Sequence, residues 1–307
     1  MGISIGGGSH ISAGGAGIRS VEFQGLPCTE LTLATGDTLR VAHHGAHVLS
    51  WVTADGIERL YLSPSAVMDG ASAIRGGVPV CFPQFNMRSL GETALPKHGF
   101  ARTLPWNMQG MQLGGDAITV SLGLQESAAS LALWPHAFAA TLSLRLAPGS
   151  LRMEFSVRNT GTTAWPFALA LHTYLRVQGI AATQLHGLQG LRFWDAVQHV
   201  QQPEMRQVEQ NEVLQFGNET DRVYEAVTHP LTLRHSGGTL RISQSATLSE
   251  VVVWNPAAAL CARLPDMPPD GWQHMLCVEA ACINTPVQLA SGAAWSGWQE
   301  LQTLSNQ

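Results

Sequence analysis

Along most of the chain, apolar and polar residues alternate one by one, the pattern of strands that bury one face and wet the other. The alternation is clearest over residues 30–35, 37–42, 117–124, 139–146, 151–158, 167–177, 239–243, 250–254 and 275–283. Apolar stripes at three- and four-residue spacing, which would mark helices, are scarce. Clusters such as Pro148-Gly149, Asn159-Thr160-Gly161 and Gly237-Gly238 interrupt the runs about every ten residues, a turn spacing that favours a large antiparallel sandwich over repeated βαβ units. Residues 1–18 are rich in Gly, Ser and Ala with no burying period, and are expected to be a mobile leader. One all-β domain is expected over residues 19–307.

Composition sharpens this picture. Hydrophobic residues make up 45% of the 307, enough for a sizeable core. Charged residues make up only 13%, against about 25% in typical domains, so long charged surface helices are not expected. The net charge of −5 leaves no positive excess to neutralise a phosphate backbone, and nucleic acid is not an expected partner. No stretch approaches the ~20 apolar residues of a membrane helix, and the N-terminus lacks the basic and apolar regions of a signal peptide. A cytoplasmic monomer is expected. Five cysteines, with no Cys-x-x-Cys pair, fit a reduced compartment and disfavour a thiolate metal cluster. Hydrolase, P-loop and dinucleotide motifs are missing, and neither cofactor nor metal is expected.

Three groups of residues could carry chemistry. On a strand over 167–177, alternation puts Phe167, Leu169 and Leu171 on a core face. Ala168, Ala170, His172 and Tyr174 lie on the other, with room above the alanines for a ligand against His172. Over 275–283, Glu279 is the sole charge and shares a face with Met275, Cys277 and Ala281. Burial there would raise its pKa and suit it to acid/base work, or tie it into a structural network. Two Gly/Pro-stiffened loops present Arg75, Lys97, His98 and Arg102. Lys97 is the only lysine among 17 basic residues, and such a cation cluster suits a phosphate or carboxylate. Alternatively, each Arg braces its loop through backbone carbonyls. His43, His44 and His47 crowd together, but their spacing on an extended segment aims them apart, a poor ligand geometry.

Seven segments, in order, resemble the hexose-6-phosphate mutarotases, the glucose-6-phosphate 1-epimerase branch of the aldose 1-epimerase superfamily. They are Arg75-Gly-Gly-Val-Pro-Val, Pro96-Lys-His-Gly-Phe-Ala-Arg102, Leu133-Trp-Pro-His136, Leu171-His-Thr-Tyr174, Thr220-Asp-Arg-Val-Tyr224, Val251-Val-Val-Trp-Asn-Pro256 and Cys277-Val-Glu-Ala280. The resemblance implies a galactose-mutarotase-like supersandwich of antiparallel strands whose concave face binds sugar. It implies His172 as general acid and Glu279 as general base. Arg75 and Arg102 would bind substrate, its phosphate especially, with Asp221 on sugar hydroxyls and His98 as a further substrate contact. Lys97 stands where relatives often carry a small or amide side chain, and the extra cation favours an anionic substrate. The implied activity is interconversion of the α and β anomers of a hexose 6-phosphate. The alternatives are a mutarotase of unphosphorylated aldoses, which the cations disfavour, and a non-catalytic carbohydrate-binding protein, which the presence of both His172 and Glu279 disfavours.

Overall fold

The computed structural model describes residues 10–13, 15–87 and 95–304. Each alternating run overlaps a strand, because one buried face per strand is what a sandwich requires. Strands His10–Ala13, Ala16–Phe23, Leu26–Thr32, Thr38–Ala42 and His47–Val52 form a five-stranded meander. A nine-stranded sheet is built around Ala117–Gln125, Phe138–Ala147, Ser150–Asn159 and Ala294–Leu304. An eight-stranded sheet places Thr220–Tyr224, Glu250–Asn255, Met275–Leu289 and Trp165–Leu171 side by side. Pairings throughout these three sheets are antiparallel. No helix among the described residues is long and apolar enough to cross a membrane.

The main core lies between the two larger sheets. Leu142 and Phe155 from the nine-stranded sheet share one buried cluster with Phe167, Leu169, Val278 and Ala280 from the eight-stranded sheet. Those last four are the alternate residues of their strands, so their neighbours necessarily point to the sheet's other face.

Two expectations are revised. Residues 1–9 and 14 of the expected leader lie outside the described residues, but 10–13 and 16–18 form a hairpin with its turn at Gly15 (φ 84°). Ile18 pairs with Leu31 and is buried in the main core, so the sheet starts before residue 19. The run 167–177 is two strands, Trp165–Leu171 and Tyr174–Arg176, interrupted at His172 and Thr173. The interruption arises because the Thr173 N–H turns back to the Leu171 carbonyl at 2.9 Å.

Candidate active site

Strand register alone assembles the site's floor. Leu171 pairs with Ala280 and Tyr174 with Cys277, one unbroken antiparallel register that sets His172 opposite Glu279 despite the interruption. Glu279 in turn pairs with Val252, and Val252 with Val223. Two residues along lies a parallel row, Tyr174, Cys277, Trp254 and Asp221. Residues two apart on a strand share a face, so both rows face away from the main core. His172 Nδ1 lies 3.2 Å from Glu279 Oε1, although 107 positions separate them in the chain. Tyr174 stacks on the His172 ring at 4.8 Å between centroids and 8° between planes.

Above this floor is a cavity of about 180 Å³. Arg75, Lys97 and His98 line it together with His172, Glu279, Asp221, Glu219 and Trp254. Cations and carboxylates thus converge on one space. Arg75 donates from Nη1 to the Tyr174 hydroxyl at 3.0 Å, and its Nε is 3.2 Å from Asp266 Oδ1. Its loop is held by two glycines. Gly77 has φ 59°, and a Cβ there would lie 2.1 Å from the Val48 carbonyl oxygen. At Gly76 (φ 103°) a Cβ would lie 2.4 Å from the Tyr61 carbonyl oxygen. Gly77→Ala is therefore expected to lower stability by about 2 kcal/mol or more, read as a reduced urea midpoint.

His98 is held in a fixed orientation. Its backbone N–H donates to the Asn86 carbonyl at 2.9 Å, and the Asn86 N–H donates back to His98 Nδ1 at 3.2 Å. A neutral His98 ring therefore carries its proton on Nε2. Both residues adopt positive φ, 52° at Asn86 and 65° at His98, a conformation uncommon outside glycine and concentrated at functional sites. The His98 ring lies edge-on to His172, with centroids 5.4 Å apart.

Burial dominates the electrostatics. It pushes Glu279 well above the usual carboxylate range, with Asp221 adding to the rise and Lys97 opposing it. Burial likewise holds His172 well below the usual imidazole value, reinforced by Arg75 and Arg102. Both shifts favour the neutral forms, a carboxylic acid at Glu279 and an uncharged imidazole at His172. His172 Nδ1 and Glu279 Oε2 are buried with no hydrogen-bond partner in the protein; the 3.2 Å approach is not an aligned hydrogen bond. Leaving such atoms unpaired costs about 1–3 kcal/mol each, an arrangement suited to a ligand bearing hydroxyls. His172, Cys277 and Glu279 also bring ligating atoms within 4.8 Å of one another. Burial holds the Cys277 thiol well above its usual value, so a cation would have to displace protons from both Cys277 and Glu279.

The residues singled out from sequence mostly meet here. His172, Glu279, Arg75, Lys97, His98 and Asp221 all line the cavity. Arg102 does not; its Nη2 donates to the Lys97 carbonyl at 2.7 Å, the loop-bracing role left open above. Nor is there room above Ala168 and Ala170, because both are buried with Phe85 and Trp194. The space opens instead over Val252 and Glu279. The three crowded histidines separate: His43 meets Thr29, His44 the Ser72 carbonyl and His47 the Gly76 carbonyl. Phe85, Asn86, Glu219 and Asp266 escaped the sequence reading. The only signal for Asn86 was its place between the Gly/Pro-rich loops.

A sequence profile described as Aldose 1-epimerase matches residues 28–302. The chain belongs to the aldose 1-epimerase family. Among its relatives in this family is "Putative glucose-6-phosphate 1-epimerase" of Cenchrus ciliaris, 32% identical over 263 residues, which cover 83% of this chain and 78% of the relative. A protein of the same name from Salmonella typhimurium is 36% identical over 253 residues, 80% of each. The crystal structure of "a putative mutarotase (YeaD) from Salmonella typhimurium" superposes with a TM-score of 0.84 at 27% identity, covering 94% of both chains. The expected mutarotase-like antiparallel supersandwich is thus the fold of this aldose 1-epimerase family member.

Proposed function

We propose that the protein interconverts the α and β anomers of a hexose 6-phosphate, glucose 6-phosphate foremost. The observation that carries this is the placement of His172 and Glu279 as direct cross-strand partners on the floor of a cavity that Arg75 and Lys97 also line. The names of the relatives from Cenchrus ciliaris and Salmonella typhimurium support the same substrate.

Ring opening needs a base at the anomeric hydroxyl and an acid at the ring oxygen. In the proposed cycle, Glu279 takes the hydroxyl proton as the C1–O5 bond breaks, and His172 protonates O5, giving the open aldehyde. Rotation about C1–C2 and reversal of both transfers closes the other anomer, with no net redox change. The phosphate dianion, seated against Arg75 and Lys97, offsets the cationic contribution that adds to burial in lowering the His172 pKa. The pair's proton can then pass to the imidazole and leave a carboxylate facing C1. Asp221 and Glu219 are placed to accept from sugar hydroxyls. Binding energy from the remote phosphate fixes orientation. Arg102 acts through the Lys97 loop.

The test is exchange NMR on glucose 6-phosphate, where accelerated α/β interconversion is expected and binding without acceleration would overturn the proposal. The proposed active state is the pair carrying one proton. Accordingly kcat/KM should fall at acid pH, as His172 and Glu279 both become protonated, and at alkaline pH, as the only proton leaves. The lowered His172 value sets the acid limb below the ordinary imidazole range, and the raised Glu279 value sets the alkaline limb above the ordinary carboxylate range. A pH–rate profile checks both limbs.

A further inference from the structure

Directly behind the His172–Glu279 pair, on the core side of the sheet, is a polar group that packing alone does not require. Gln299, on strand Ala294–Leu304 of the nine-stranded sheet, is fully buried. The inward positions on either side of it along the strand are Gly297 and Leu301, both buried. An apolar side chain would fill such a site without the desolvation that a carboxamide suffers. Gln299 nevertheless reaches across the core. Its Nε2 donates to the Val278 carbonyl at 3.0 Å, and its Oε1 accepts from the Thr173 hydroxyl at 2.5 Å. The Val278 N–H donates to the Thr173 carbonyl at 3.1 Å, which closes a ring of three hydrogen bonds.

The ring occupies a place where the strand ladder is incomplete. Thr173 lies opposite Val278 in the register, and a hydrogen-bonded antiparallel pair normally exchanges two N–H···O bonds. Here the Thr173 N–H has turned to Leu171, and the Gln299 carboxamide takes its place on the Val278 carbonyl. Thr173 follows His172 and Val278 precedes Glu279. Both point into the core, while His172 and Glu279 point into the cavity.

We propose that Gln299 is a positioning residue for the His172–Glu279 pair, its carboxamide standing in for the missing ladder rung and thereby setting the separation of the imidazole and the carboxyl group. It touches neither substrate nor reacting atoms, and it acts through the backbone of the two residues beside the pair. Its catalytic consequence rests on the anomer-exchange reading above; its geometric consequence does not.

Gln299→Leu removes both bonds at similar volume, and Thr173→Val removes only the hydroxyl bond. Gln299→Leu is expected to lower kcat for glucose 6-phosphate roughly ten- to a hundredfold, the scale of a small misplacement of reacting groups, with KM within about twofold because the cavity wall is untouched. Thr173→Val should act in the same direction more weakly. The double variant should lose little beyond Gln299→Leu, since both remove one unit. Histidine-ring NMR provides a second measurement independent of turnover, in which the His172 resonances should shift in both single variants. A lowered melting temperature with kcat and the His172 resonances unchanged would overturn the proposal. Should Gln299→Leu fail to fold, Thr173→Val decides by the same two measurements. Absence of acceleration by the unaltered protein would count against anomer exchange, and the His172 resonances would still report on Gln299.

Discussion

Glu279→Gln should slow glucose 6-phosphate anomer exchange by roughly 10²- to 10⁴-fold, the usual contribution of one positioned proton-transfer group, while leaving sugar phosphate affinity near its original level. The substitution keeps the side chain's shape on a strand whose flanking residues Val278 and Ala280 are locked in the main core. It removes the ability to take up a proton near neutral pH. Arg75 and Lys97 remain in place, so the proposed phosphate contacts should persist and the loss should appear in kcat rather than KM. Solution mutarotation continues on its own, and the variant should approach that background. Exchange NMR reads the rate and calorimetry the affinity; a rate near that of the unaltered protein would remove Glu279 from the proton path.

Lys97→Met should separate phosphate recognition from chemistry. Lys97 lines the cavity, and its pKa is lowered by burial and then by Arg75 and Arg102. Asp221 opposes that shift, and a bound phosphate would add to the negative charge facing the ammonium. Losing one charge-assisted hydrogen bond costs about 1.5–3 kcal/mol, so KM for glucose 6-phosphate should rise roughly ten- to a hundredfold. Exchange of unphosphorylated glucose should change less than about twofold. Met preserves the aliphatic stem and its packing. Arg75→Met is a less clean experiment, because Arg75 also holds the Tyr174 hydroxyl, and Tyr174 stacks on His172. Equal losses on both sugars for Lys97→Met would argue that Lys97 supports the loop rather than the phosphate.

Much of the architecture and the site was legible in one dimension for a simple reason. A period of two survives in the sequence whatever the strand pairs with, so 275–283 could be divided into a core face and a cavity face before its partners were known. Glu279 stood out as the sole charge in that run, and Lys97 as the chain's only lysine. The interruption at His172 was not legible, because it depends on where one backbone N–H finds an acceptor. Nor was Gln299, which in sequence is one polar residue on a half-polar strand.

The sequence by itself determined the all-β class, the alternating faces and the residue types able to move protons and hold an anion, because these follow from local periodicity and side-chain chemistry. Only the tertiary structure decided that His172 and Glu279 are direct partners, that Lys97 lines the cavity while Arg102 braces its loop, and that a carboxamide from the opposite sheet completes the ladder behind the pair. Register and cross-core contact join residues more than a hundred positions apart, and no spacing along the chain encodes which strand lies beside which.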